Sequence, residues 1–274
     1  MPTRLSSSTG WKERTTPLIP HRHLQKLIFL EYLCGRIMAR EKIFRFKQFD
    51  VLNDRTAMKV GTDGVLLGAW CAVDGAHRVL DVGTGCGVIA LMIAQRNSRA
   101  CITGIDIDHD AVEEAAINFA NSPWSDRLTA HDCDFNELQE QAGRYDLIVS
   151  NPPYFIDSML AASESRTMAR HNQTLNYQQL IEKASRLLID GGSLAFISPT
   201  EAESLVVEAA TFASLPVRRV TRVMAKAGAP PKRLLWLLSR QEMAHATDSL
   251  TIADGNGHYT DEYVALTQAF YLKM

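Results

Sequence analysis

The chain has 274 residues, 46% of them hydrophobic, enough for one large α/β domain or a domain with additions. A net charge of −2 excludes a uniformly basic nucleic-acid binder. No apolar run reaches membrane-spanning length, and the five cysteines show neither C-x-x-C spacing nor a partner-histidine pattern, so a disulfide framework, a zinc site and a membrane anchor are not expected. Reduced thiols point to the cytoplasm; a monomer without a metal is expected.

Residues 1–40 mix Ser6, Ser7, Ser8, Pro17 and Pro20 with basic side chains. They are read as an extension, disordered or a misassigned upstream start, before a domain spanning 41–274. Met38-Ala39-Arg40-Glu41 is an ordinary start for that domain. The apolar stretch 24–38 is interrupted by Glu31 and Arg36 and has no small-residue cleavage site, so no signal peptide is predicted.

From there strands and helices alternate. Residues 44–51 are expected to be extended and 62–71 helical. Strands are expected at 78–82, 101–106, 127–131, 145–150, 193–198, 217–224 and 233–239. Helices are expected at 87–96, 108–121, 177–189 and 200–213, with Asp108 as an N-cap and Gly191-Gly192 closing the third. This alternation predicts a doubly wound α/β sheet of seven strands, Rossmann-like, with ligands beyond the carboxyl ends of its strands. Only 225–231 separates the last two strands, too short for a crossover, so they form an antiparallel hairpin at the sheet edge.

The strand at 78–82 runs into Gly83-Thr84-Gly85-Cys86-Gly87 and then a helix. Glycines there let the backbone approach a ligand and point amides at it. The spacing is G-x-G-x-G, not the G-x-G-x-x-G of dinucleotide binders, and Asp81 stands two positions before the first glycine. Both details favour S-adenosylmethionine over a nicotinamide cofactor. Asp106 ends the next strand, where a carboxylate accepts hydrogen bonds from ribose hydroxyls.

The strand at 145–150 ends in Ser150-Asn151-Pro152-Pro153-Tyr154. Two prolines continue neither a ladder nor a helix, so they fix the backbone and hold Asn151 and Tyr154 in a defined relation. The Asn151 oxygen and a neighbouring carbonyl can accept both hydrogens of a planar amine while Tyr154 covers its flat face. The catalytic set is therefore Asn151, Pro152, Pro153 and Tyr154.

Two further features bear on a partner. From 218 to 240 there are seven Lys or Arg and no Asp or Glu, and a second basic group comprises Arg40, Lys42, Arg45, Lys47, Arg55 and Lys59. On one face with Tyr154 they would form a phosphate-contacting surface. The polar stretch 155–176, with Arg166, Arg170 and His171, reads as a lid or substrate grip.

Asp-Val-Gly-Thr-Gly-Cys-Gly, Asp106 and Asn-Pro-Pro-Tyr together resemble class I S-adenosylmethionine-dependent methyltransferases acting on exocyclic or amide nitrogens. More narrowly, Phe46-Lys47-Gln48-Phe49, the block from Met58 to Trp70, Ser122-Pro123-Trp124 and the tail Ala265 to Leu272 resemble bacterial enzymes that methylate the 6-amino group of adenine 37 in a valine tRNA. The resemblance runs from about Phe44 to the last residue. It implies that Asp81, Gly83 and Gly85 face the methionine part of the cofactor, Asp106 the ribose and Asp134 the adenine amine. Asp132 is the other candidate for that last place. Asn151 belongs to the cofactor set as well as the catalytic one, and 59–63 covers the cofactor pocket. The partner implied is tRNA. The closest rival is a glutamine N-methyltransferase acting on a protein such as a release factor, because Asn-Pro-Pro-Tyr suits an amide nitrogen equally well.

Overall fold

A short antiparallel pair, β1 (Ile43–Arg45) and β2 (Asp50–Leu52), precedes the first helix, α1 (Thr62–Trp70). The protein is described from a computed structural model covering residues 42–139, 144–153 and 175–273, all within the unit Ala39–Met274. Residues 1–41 and 154–174 lie outside the described residues, and with them Arg40, Tyr154, Arg166, Arg170 and His171.

The apolar runs take the centre of one sheet. β3 (Arg78–Val82), with four of its five residues buried, lies between β4 (Cys101–Asp106) and β6 (Tyr145–Ser150) and is parallel to both. β5 (Leu128–Asp132) pairs beyond β4, and β7 (Leu188–Pro199) beyond β6. β9 (Arg233–Ser239) runs antiparallel between β7 and β8 (Val217–Lys226). The seven expected strands are all present, and β9 is the antiparallel one.

An eighth strand, β10 (Ala246–Ala253), pairs parallel with β8 and covers the edge, giving the order β10-β8-β9-β7-β6-β3-β4-β5. The sequence reading stops at 239 because the first half of β10 is exposed, only Leu250 is buried, and the Leu250–Ile252 alternation is too short to mark a strand.

Successive residues of β3 serve opposite faces, as strand geometry requires. Val79 packs in one apolar cluster with α1 and α2 (Val88–Arg96); Leu80 and Val82 pack in another with α4 (Tyr177–Leu187) and α5 (Glu203–Phe212). Leu80 and Ile148 on adjacent strands are wholly buried, each side chain contributing roughly 1.5–3 kcal/mol of burial free energy.

Caps set the helix starts. Asp108 accepts the Asp110 N–H at 3.0 Å and opens α3 (His109–Asn121), while Asn176 and Gln179 form a reciprocal capping box on α4. Gly191 and Gly192 do not close α4, which ends at Leu187 on an extended Leu188. They sit inside β7, where the pairing with β6 shifts between Tyr145 and Leu147, and Gly191 takes φ +82°. The glycines lie in this irregularity, where two steps along β6 match five along β7 and the extra residues leave the ladder.

Among the described residues no helix is long and apolar enough to cross a membrane.

Candidate active site

The chain order turns around β3, with β4 and β5 on one side and β6 and β7 on the other. At such a switch point the loops leaving adjacent strands diverge and open a crevice. The carboxyl ends of β3, β4, β5 and β6 deliver the glycine loop, Asp106, Asp134 and Asn151 to this crevice.

Two neighbouring cavities occupy it. One, of about 300 Å³, is walled by Gly83, Gly85, Asp106, Asp134, Asn151, Pro152 and Pro153, together with Thr56, Ala57, Met58, Ile107 and Phe135. The other, of about 440 Å³, is walled by Thr62, Asp63, Arg233, Lys59 and the glycine loop. Met58, Gly83, Gly85 and Asn151 line both.

The glycine loop is pinned by three hydrogen bonds to the end of β4. The Gly83 and Thr84 amides both donate to the Ile105 carbonyl at 2.9 Å, and the Gly85 amide donates to Asp106 Oδ2 at 2.9 Å. These amides do not point at a ligand, contrary to the expectation from the sequence. The loop instead offers its bare Cα atoms. Gly83 and Gly85 have φ of +69° and +55°, and a Cβ on either would meet no atom within 4 Å. A side chain there would be strained and would fill the space a ligand needs.

Asp81 lies behind the loop, wholly buried, and accepts the Thr84 hydroxyl at 2.8 Å on Oδ2. Its Oδ1 is buried with no hydrogen-bond partner among the described residues. Burial pushes the Asp81 carboxyl up to about 7 against the pull of the Thr84 hydroxyl, and the nearby Asp106 charge raises it further. Asp81 supports the loop but is not among the cavity-lining residues.

Asp106 also accepts the Asp108 amide at 3.0 Å, through Oδ1. A carboxylate has about four acceptor positions, so both oxygens retain capacity for ribose hydroxyls. Of the two candidates at the end of β5, Asp134, two residues past the strand, lines the cavity, whereas Asp132, its last residue, is exposed and meets His109 Nδ1 at 3.1 Å. The Asp134 Oδ1 accepts the Asn136 amide at 2.8 Å, which sets the turn. The Ser150 hydroxyl donates to the Val82 carbonyl at 2.8 Å and so ties the end of β6 to the start of the glycine loop. Asn151 follows directly, its Nδ2 lying 3.4 Å from the Met58 sulfur.

Residues 61–215 match the methyltransferase small domain family. The chain is 45% identical over 235 residues to a tRNA1(Val) (adenine(37)-N6)-methyltransferase of Flavobacterium psychrophilum, covering 85% of this chain and all of that one. It is 41% identical over 232 residues to the protein of that name from Tolumonas auensis, covering 84% and 97%. This chain belongs to that methyltransferase family. A crystal structure of a predicted O-methyltransferase from Agrobacterium tumefaciens superposes with a TM-score of 0.61 at 19% identity, over 76% of this chain and 96% of that one, a likeness of fold alone.

As a member of the family, the chain is an enzyme whose methyl donor is S-adenosylmethionine. The open positive-φ glycines, with Asp106 and Asp134 on the cavity wall, suit a ligand with a ribose and an adenine amine.

The basic strip behaves differently from the sequence expectation. Arg219 pairs with Asp248, Arg222 with Glu203 and Arg233 with Asp63, while Arg218 and Arg240 donate to backbone carbonyls. Within 218–240 there is no acid, yet acids arrive from three other segments. In the second group, Arg55 meets Glu113, and Lys47 and Lys59 donate to the Gln268 and Asp54 carbonyls. Lys226 and Lys232, at the β8–β9 turn, are exposed.

The sequence offers no separate reason to single out Thr56, Ala57, Ile107, Phe135 or the Asp63–Arg233 pair, and Met58 enters only as the first residue of the block 58–70. Nor does it assign a role to Glu114, which is wholly buried with Asn118 on the inner face of α3. The available signal was periodic: Glu114 and Asn118 share a stripe with Ala111, Ala115 and Phe119, and polar residues on an apolar stripe need partners.

Proposed function

We propose that this enzyme transfers the methyl group of S-adenosylmethionine to the 6-amino group of adenine 37 in a valine tRNA, using Asn151 to hold the accepting amine. The observation that carries the reading is the position of Asn151 in the wall common to both cavities, at a strand end rigidified by Pro152 and Pro153. The names of the relatives support adenine over the amide of a protein glutamine.

S-adenosylmethionine supplies a methyl group already activated by a positive sulfur. Asp106 would hold its ribose and Asp134 its adenine amine. Gly83 and Gly85 would bound the methionine end, with Asp81 setting them from behind through Thr84. The acceptor amine is a weak nucleophile because its lone pair is delocalised into the ring. The Asn151 oxygen and the adjacent carbonyl accept its two hydrogens and favour a pyramidal nitrogen. Positive charge grows on that nitrogen as it forms its new bond, and oxygens aimed at its hydrogens stabilise the charge. Fixing the amine in place supplies proximity. The proton leaves to water afterwards.

A base in an anticodon loop is splayed out at lower cost than one in a duplex. Tyr154, outside the described residues, is assigned to its flat face. The enzyme acts in this reading as a cytoplasmic monomer and needs no metal, since the methyl group arrives activated. The catalytic unit is residues 41–274. A chain starting at residue 38 that keeps turnover supports that assignment, and an inactive or insoluble one overturns it.

The direct test is incubation with labelled S-adenosylmethionine and either bulk tRNA or a release factor. Label on the adenine N6 of valine tRNA is the expected result. Label on a protein glutamine would overturn it.

A further inference from the structure

We propose that Glu114 is a positioning residue for methyl transfer, holding the strap 53–58 so that Met58 sets the direction of the Asn151 amide. A buried carboxylate must be met by donors, and Glu114 is met by the strap. Its Oε2 accepts the Asp54 amide at 2.9 Å and the Arg55 amide at 2.6 Å, and its Oε1 accepts the Thr56 hydroxyl at 3.0 Å. These donors belong to an irregular segment that has no ladder to satisfy them.

One turn along the same helix, Asn118 accepts the Leu52 amide at 2.7 Å and donates to the Leu52 and Cys86 carbonyls at 2.9 and 2.8 Å. One face of α3 thus fixes both the strap and the far end of the glycine loop. The strap also closes on itself, with the Val60 amide on Asn53 Oδ1 at 3.1 Å.

Met58 is the end of this chain of contacts. It lines both cavities, and its sulfur faces the Asn151 amide nitrogen. A thioether is an acceptor only, so it selects the nitrogen end of the amide and turns Oδ1 away from the strap. Oδ1 is the atom the accepting amine needs. The inference rests on the role given to Asn151 above.

The experiment is steady-state kinetics and cofactor calorimetry on the full chain with Glu114→Gln, Thr56→Val, Met58→Ala and Asn151→Ala. Glutamine keeps one oxygen for the Asp54 and Arg55 amides but sets an N–H₂ against the Thr56 amide and hydroxyl, which donate to Oε1 in the parent. Glu114→Gln is expected to lower kcat by about tenfold or more while raising the cofactor Kd by no more than about threefold. Met58→Ala is expected to cost less in the Glu114→Gln background than alone, as coupled residues do. A Glu114→Gln variant with a lowered Tm but normal kcat well below it, or additive losses with Met58→Ala, overturns the proposal. Should Glu114→Gln fail to fold, Thr56→Val decides, a severalfold fall in kcat supporting the proposal and an unchanged kcat overturning it. Asn151→Ala separates the two readings: normal turnover there overturns the role of Asn151 itself. Loss of turnover there with normal Glu114→Gln kinetics overturns only the positioning.

Discussion

Arg233 and Asp63, 170 residues apart, meet with Nε 2.9 Å from Oδ2 in the wall of the second cavity. The contact joins the antiparallel strand β9 to the first turn of α1. Removing one partner leaves a half-buried charge beside the site, which is worse than removing both. Arg233→Met is expected to lower kcat/KM for methyl transfer about tenfold, and the double variant Arg233→Met with Asp63→Asn to recover part of that loss. Equal activity in the single and double variants would show that the pair does not shape the cavity.

Arg222 and Glu203 form a two-point pair at 2.6 and 3.0 Å between β8 and α5. Each side chain is more than a third exposed, so the pair is worth only about 0–1 kcal/mol. Arg222→Glu opposes two like charges. A Tm lowered by a few degrees is expected, with recovery in the swap Arg222→Glu with Glu203→Arg. A variant with unaltered Tm but a flattened salt dependence of tRNA binding would place phosphate contacts at Arg222 instead.

Asp106→Ala removes the proposed ribose acceptor and releases the Gly85 and Asp108 amides. A loss of cofactor affinity of about 1–3 kcal/mol is expected, the range for leaving buried partners unpaired. Calorimetry on a folded variant with unchanged affinity would remove Asp106 from the cofactor site.

Asn151→Ala is expected to bind S-adenosylmethionine normally and to lose kcat, because its oxygen acts on the acceptor and not on the donor. Tyr154→Ala is expected to weaken base capture by about 1–3 kcal/mol of stacking, and Tyr154→Phe to keep most activity. Single-turnover rates at saturating cofactor distinguish the two positions. A fast Asn151→Ala enzyme ends the proposed mechanism.

Asp81 makes stability fall with pH over one window. Its carboxyl titrates near 7 in the folded chain and near 3.8 otherwise. Between those values the folded state holds a proton that the unfolded state has lost, so the Asp81 contribution to stability decreases as pH rises. Below the window both states are protonated and above it both are ionised. The stability of Asp81→Asn relative to the parent, from urea titrations, is expected to rise from pH 4 to about 7 and then level off. A difference that does not change with pH would show that Asp81 titrates as an ordinary carboxylate.

Much of the frame follows from local signals. Apolar runs of five or six residues mark β3, β4 and β6, and glycines and prolines at their ends mark where the chain must turn toward a ligand. Alternation with helices then predicts the parallel sheet and the side on which Gly83, Asp106 and Asn151 gather. Periodicity and punctuation act within a few residues, so they survive without tertiary information. Contacts across the chain do not. Asp132 and Asp134 look alike in sequence, and only the fold turns one to the cavity and the other to His109. The arginines of 218–240 look like a free basic face until Glu203, Asp63 and Asp248 reach them from other elements. β10 carries too little apolar patterning to announce itself, and its pairing with β8 supplies what its sequence lacks. Glu113 and Glu114 are adjacent and alike in sequence, yet Glu114 is buried because the strap some 60 residues earlier brings it the donors it needs. Pairing energies of this kind depend on which distant groups arrive, and that is decided when the layers pack.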